Sequence, residues 1–186
     1  MPYSSHHSGH SPSVAVIDIG SNSSRMVVYD TGYMPPHITF NEKLFCALGR
    51  DLGSTGKLNP EGVVAALKSL KAYSLIADVQ KLPHILVVGT AALRDASDGR
   101  DFIAKAKEQT GLDIRVISGD EEATYAARGV MMLDPSADGV VADFGGGSLE
   151  LARIASGKVL ATVSLPPGAY RAEDIGDSAQ ARVAAL

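Results

Sequence analysis

The chain has one cysteine among its 186 residues, so Cys46 can form no disulfide within it. Its neighbours Leu44, Phe45, Ala47 and Leu48 are apolar, and Cys46 reads as a small buried hydrophobe. Long apolar runs are also missing. None approaches the ~18 residues of a membrane span, and no membrane partner is expected. Residues 1–13, MPYSSHHSGHSPS, lack the apolar segment of a secretory signal. They read as a disordered tail with His6, His7 and His10 solvated, and the protein is expected to be cytoplasmic. There is no stripe of basic side chains either. With 17 Lys and Arg against 21 Asp and Glu, the net charge is -4 and nucleic acid is a poor partner. A polyanionic ligand would need a local cluster of amides, arginines and metal against this overall field.

What is present is an alternation of strands and helices, an α/β pattern in a chain long enough to bury roughly 70% of its unfolded surface. Residues 14–19, 25–30 and 37–45 read as three strands of a meander. A helix follows from Pro60 to about Leu82, with Asn59 as its N-cap. Next come a strand over 85–88, a helix over 101–109 stopped by Gly111, and a strand over 114–118. A helix over 120–133 is closed by Asp134 and Pro135. From Val140 the strand pattern starts again, with further strands at 149–154 and 159–165.

The restart repeats more than a pattern. VAVIDIGSNS at 14–23 and GVVADFGGGS at 139–148 share an apolar strand, an aspartate and Asp-x-Gly-x-x-Ser, with a second strand directly after. The aspartates Asp18 and Asp143 lie about one domain length apart. A glycine-rich turn exposes successive backbone N–H groups to phosphate oxygens, because no Cβ blocks the approach. The aspartate at the strand end can hold Mg²⁺ directly or through water, and the serine hydroxyl adds a donor. Taken singly either loop is an ordinary turn; two copies suit a clamp on opposite walls of a cleft. Asp120, Glu121 and Glu122 occupy a first helical turn, where acidic residues suit the macrodipole whatever their function.

Four ordered blocks resemble the exopolyphosphatase and guanosine pentaphosphate phosphatase family, Ppx/GppA, of the actin-like superfamily. They are AVIDIGSNSSRMVVYD (15–30), GTAALRDASDGRDF (89–102), VISGDEEATYAARGV (116–130) and VADFGGGSLELA (141–152). The resemblance implies an actin-like (RNase H-like) mixed five-stranded sheet with flanking helices over 14–136. Residues 137–186 would be the opening β-meander of a second, similar domain that is left incomplete. It implies Mg²⁺-assisted in-line attack of water on the terminal phosphate of polyphosphate or of guanosine pentaphosphate, with a homodimeric full-length parent. By position, Glu121 matches the catalytic base. Asn22, Arg94, Gly145, Gly146, Gly147 and Ser148 match phosphate contacts, and Asp143 and Glu150 match metal-linked carboxylates. For Glu150, strand alternation leaves a solvent-facing position open as the lesser alternative. Leu149, Phe144 and Ser24 depart from the family's usual residues. Two other readings stay open: an ATP-using kinase of the same superfamily, and a non-catalytic phosphate-binding fragment.

Overall fold

The computed structural model describes residues 13–165. The expected tail with its three histidines, and the end of the second unit over 166–186, lie outside the described residues. Three antiparallel strands open the fold: β1 (Ser13–Ile19), β2 (Ser23–Asp30) and β3 (His37–Phe45). Alternation sorts their side chains. Ala15, Ile17 and Ile19 of β1 and Ser24, Met26 and Val28 of β2 are buried on one face, and Asp18 and Arg25 lie exposed on the other.

After a single helical turn, α1 (Leu52–Thr55), the chain enters α2 (Pro60–Val79). Pro60 holds the first helical position, and the Asn59 side chain accepts from the Gly62 N–H at 2.8 Å, as expected of an N-cap. β4 (His84–Gly89) then runs parallel to β1, followed by α3 (Ala91–Asp95), α4 (Gly99–Thr110) and β5 (Ile114–Val116), parallel to β4. The order β3-β2-β1-β4-β5 makes the expected mixed five-stranded sheet. Leu67, Leu70, Tyr73 and Ala77 of α2 and Phe102 and Ala106 of α4 pack on its buried face.

Ser24, unusual for a position that is ordinarily apolar, is explained by this packing. Its hydroxyl lies 2.6 Å from that of Ser69 on α2, and Tyr73 donates to its carbonyl at 3.1 Å. The polar atoms brought into the core thus satisfy one another. Cys46 is buried beside them, as its apolar neighbours require.

Helix α5 (Gly119–Leu133) leads to a three-stranded antiparallel sheet of β6 (Gly139–Phe144), β7 (Leu149–Ala155) and β8 (Lys158–Leu165). The sequence groups α5 with the first unit, but its buried Ala123 and Ala127 pack on Ala152 and Ile154 of β7. The helix therefore covers the second sheet. Small residues one turn apart let it approach closely, and Gly119 sits directly against Ser164 of β8. Among the described residues, no helix is long and apolar enough to cross a membrane.

Candidate active site

The two Asp-x-Gly-x-x-Ser elements fold identically at their turns. Gly20 N donates to Ser23 O at 2.9 Å between β1 and β2, and Gly145 N donates to Ser148 O at 2.9 Å between β6 and β7. The first turn is held from behind by the segment after β3. Cys46 N and Ala47 N donate to Asn22 O, and Gly49 N donates to Ser21 O. With its carbonyls fixed in this way, the loop is organised before any ligand arrives.

The turns meet across a cleft of 290 Å³, lined by Asp18, Gly20, Ser21, Asn22 and Lys43 on one side and by Asp143 and Gly145 to Ser148 on the other. A Cβ on Gly147 would overlap the Ser21 hydroxyl and lie 2.8 Å from the Ala91 side chain, so glycine is required where the walls touch. Ser21 is buried, 4% exposed, and its Oγ has no hydrogen-bond partner among the described residues, an orphan hydroxyl on the cleft wall. A buried polar atom without a partner is costly unless a ligand or water satisfies it. A larger, mostly apolar groove of 520 Å³ continues over Val16, Leu86 and Val88, and Asp18, Glu122 and Asp143 stand on the border between the two.

Of the residues matched to phosphate binding, Asn22, Gly145, Gly146, Gly147 and Ser148 line the cleft. Arg94 does not. Its Nη1 donates to the Ile117 carbonyl at 3.1 Å and to Glu122 at 3.3 Å, and its Nε lies 3.4 Å from Asp95. Of the carboxylates matched to metal, Asp143 opens into the cleft. Glu150 is buried, 1% exposed, and accepts from Ser164 Oγ at 2.8 Å. It neither lines the cleft nor faces solvent.

Glu121, the residue matched to the base, turns away from this site. It is the reciprocal partner in a capping box with Ser118, is paired with Arg115, and lies beside Tyr125 and Arg128 on the outer side of α5. The hydrogen bond from the Ser118 amide, helped by Arg115, lowers its pKa. Glu122 faces the cleft. Burial, then the charges of Glu150 and Asp18, raise its carboxyl from 4.5 to about 7 against the pull of Arg94. Asp18 is raised from 3.8 to about 6 by the enclosing walls and then by Asp143, with Arg25 and Lys43 opposing.

Ser118-x-x-Glu121 carries a readable signal for the capping role, the S-x-x-E spacing of a capping box. The cleft positions of Ser21 and Lys43 were not assigned from sequence. Lys43 has a weaker signal: strand alternation and register put it on the face of Asp18.

The cleft offers carboxylate, hydroxyl and amide groups and no thiol or imidazole, a hard oxygen donor set that suits Mg²⁺. Among the described residues no three His, Cys, Asp or Glu side chains converge into a cage. One or two carboxylates, completed by water and substrate phosphates, is the usual way Mg²⁺ is held, and the Asp143 charge acts on Asp18 across the cleft, only partly offset by Arg25 and Lys43.

The chain matches the Ppx/GppA phosphatase family over residues 10–174. The crystal structure of an exopolyphosphatase from Cytophaga hutchinsonii superimposes with a TM-score of 0.82 at 30% identity, over 89% of this chain and 54% of that one. An Aquifex aeolicus member of the Ppx/GppA family gives 0.73 at 31% identity, over 84% and 51%. The bifunctional 3-dehydroquinate synthase/phosphatase of Fusobacterium nucleatum is 34% identical over 146 residues, 73% of this chain and 22% of that protein. The ethanolamine utilization protein EutJ of Carboxydothermus hydrogenoformans, at 20% identity and a TM-score of 0.52, shares the actin-like fold alone. The chain spans about half the length of these solved structures. With its four signature blocks inside the matched region and its two turns folded alike, the chain belongs to the Ppx/GppA phosphatase family.

Proposed function

We propose that the chain supplies the phosphate-binding half of a phosphohydrolase that removes the terminal phosphate of inorganic polyphosphate or guanosine pentaphosphate by in-line attack of water. One observation carries the reading: two glycine turns with the same hydrogen bond face each other across a cleft bordered by a carboxylate that titrates near neutrality.

The amides of Gly145 to Gly147 and the side chains of Ser21, Asn22 and Ser148 would hold the oxygens of the terminal phosphoryl group, whose charge is spread in the transition state. Glu122 is the base in this reading, in place of Glu121. A carboxylate near pH 7 at the cleft can accept a proton from water, whereas Glu121 is held outside by Ser118 and Arg115. Arg94 acts through Glu122 as a positioning residue. Asp143, with Asp18 beside it, would hold Mg²⁺, which when bound neutralises charge on the phosphate oxygens. No covalent nucleophile is needed, so Ser148 serves as a ligand. The expected location in the cytoplasm belongs to the same reading.

The test is orthophosphate release from long-chain polyphosphate and from guanosine pentaphosphate with Mg²⁺ and no other nucleotide, by this chain and by any longer parent. Release that stops with chelator and in Asp143→Asn supports it. A requirement for ATP with formation of a phosphorylated acceptor would replace it with a kinase, and tight binding without single-turnover release would leave a binding module.

A further inference from the structure

Part of the cleft lies beyond the reach of the two loops. In the strand register Asp18 stands opposite Arg25, and Arg25 stands opposite Lys43. Opposed residues share a sheet face, so the three side chains form one row across β1, β2 and β3. All three are exposed, on the face opposite the main core. The row starts where β1 runs into the first phosphate loop and ends at the edge strand β3. Lys43 lines the same cleft as the glycine turns.

Among the described residues the two cations of the row are offset by one carboxylate, Asp18, and by no direct ion pair. Neither Arg25 nor Lys43 makes a salt bridge among the described residues. Arg25 is steered by its Nε–H donating to Asn41 Oδ1 at 2.8 Å, and both act on Asp18 only as nearby charges. Like charges directly opposite on neighbouring strands destabilise a sheet unless something of opposite sign lies between them. In a chain of net charge -4, a cation lining the phosphate cleft with a second cation on the neighbouring strand marks where an anion fits.

We propose that Lys43, with Arg25 beside it, is a subsite for the second and later phosphates of a linear condensed-phosphate chain whose terminal phosphate lies between the two loops. The proposal rests on the phosphohydrolase reading and adds to it the direction in which the substrate leaves the cleft, outward over β2 to β3. Two strand spacings, roughly 10 Å, separate Asp18 from Lys43. A single orthophosphate between the loops does not span this row, whereas a chain of three or more phosphates does. The ledge therefore favours substrate over the orthophosphate product.

Calorimetric titration of the whole chain in Mg²⁺ buffer tests this with orthophosphate, tripolyphosphate and guanosine triphosphate. Lys43→Gln is expected to weaken tripolyphosphate binding about tenfold, the scale of one charge-assisted hydrogen bond, and to flatten its salt dependence. Orthophosphate affinity should not change, and Lys43→Arg should restore most of the loss. A loss for both triphosphates assigns the ledge to the phosphate chain itself, and a loss for tripolyphosphate alone assigns it to the inorganic polymer. A loss for the nucleotide alone overturns the proposal, because Lys43 would then read the nucleoside. Unchanged tripolyphosphate affinity also overturns it and leaves Lys43 as an edge-strand guard against self-association. Equal losses for orthophosphate and tripolyphosphate overturn it in favour of a terminal-site role. If the unaltered chain binds none of the three ligands, the phosphohydrolase reading falls as well; if it binds them and Lys43→Gln binds them alike, only the ledge falls.

Discussion

Arg94 donates from one nitrogen to both the Ile117 carbonyl and the Glu122 carboxylate, at 3.1 and 3.3 Å. A guanidinium on α3 thereby fixes a carboxylate on α5 against the backbone that follows β5. Arg94 also opposes the rise in the Glu122 pKa, through its hydrogen bond and its charge. Arg94→Gln removes the charge, so Glu122 should titrate at still higher pH and the acid limb of the rate profile should move up with it. The pH dependence of kcat/KM checks this. A uniform loss of rate with an unmoved limb would mean that Arg94 acts on the substrate directly.

Gly147 leads to a steric prediction. A Cβ there would overlap the Ser21 hydroxyl and press on Ala91, forcing the loops apart at the point where they share a ligand. Gly147→Ala should destabilise the chain by about 1–3 kcal/mol, as overpacking of a fitted contact does, and should abolish tripolyphosphate binding. Adding Ser21→Gly removes one of the two obstacles and should recover part of the stability. Thermal melts and calorimetry on the single and double variants measure both effects.

Ser164 Oγ donates to the buried Glu150 carboxyl group at 2.8 Å. Ser164→Ala leaves that oxygen without its partner and should lower stability by about 1–3 kcal/mol. In a Glu150→Gln background the same substitution should cost less, because an amide oxygen is a weaker acceptor to leave without a partner than a carboxyl group's. Chemical denaturation of the four proteins gives the coupling, and additivity would show that Ser164 matters only for its packing on Gly119.

These contacts mark where sequence reasoning succeeds and where it stops. The paired turns, the strand alternation around Asp18 and the Asn59 cap are set by neighbouring residues, so they could be read from the order of the chain. The short helices α1 and α3, of 4 and 5 residues, carry too little periodicity to register. Ser24 needed Ser69 and Tyr73 from a distant helix before its polarity made sense. Which of two adjacent glutamates faces the cleft depends on the side of α5 that packs on β7 and β8, a tertiary fact. The signature blocks alone point to Glu121, whereas the side chain that lines the cleft is that of Glu122, and the capping-box spacing at Ser118 is the local signal for the other role of Glu121.

The opposed orientations of Glu121 and Glu122 give effects of opposite sign on stability. Glu122 holds its proton up to about pH 7 in the folded chain, against 4.5 for an ordinary glutamate. Between those values the folded state binds a proton that the unfolded state has released, so stability falls as pH rises across the window. Its side chain is 18% exposed, and the shift amounts to roughly 3 kcal/mol lost above pH 7. Glu122→Gln removes this penalty. The variant should melt higher than the unaltered chain at pH 8 and close to it at pH 4, while its turnover falls roughly 10²-fold for want of the base. Glu121 is lowered by the Ser118 amide and Arg115, so its contribution is present above 4.5 and fades as pH falls. Glu121→Gln should melt lower at neutral pH, because the Arg115 pair is lost and the cap weakened, with turnover spared. Melting curves at pH 4 and pH 8, paired with single-turnover phosphate release, read both signs at once. A turnover loss in Glu121→Gln with none in Glu122→Gln would return the role of base to Glu121 and require α5 to rotate when substrate binds.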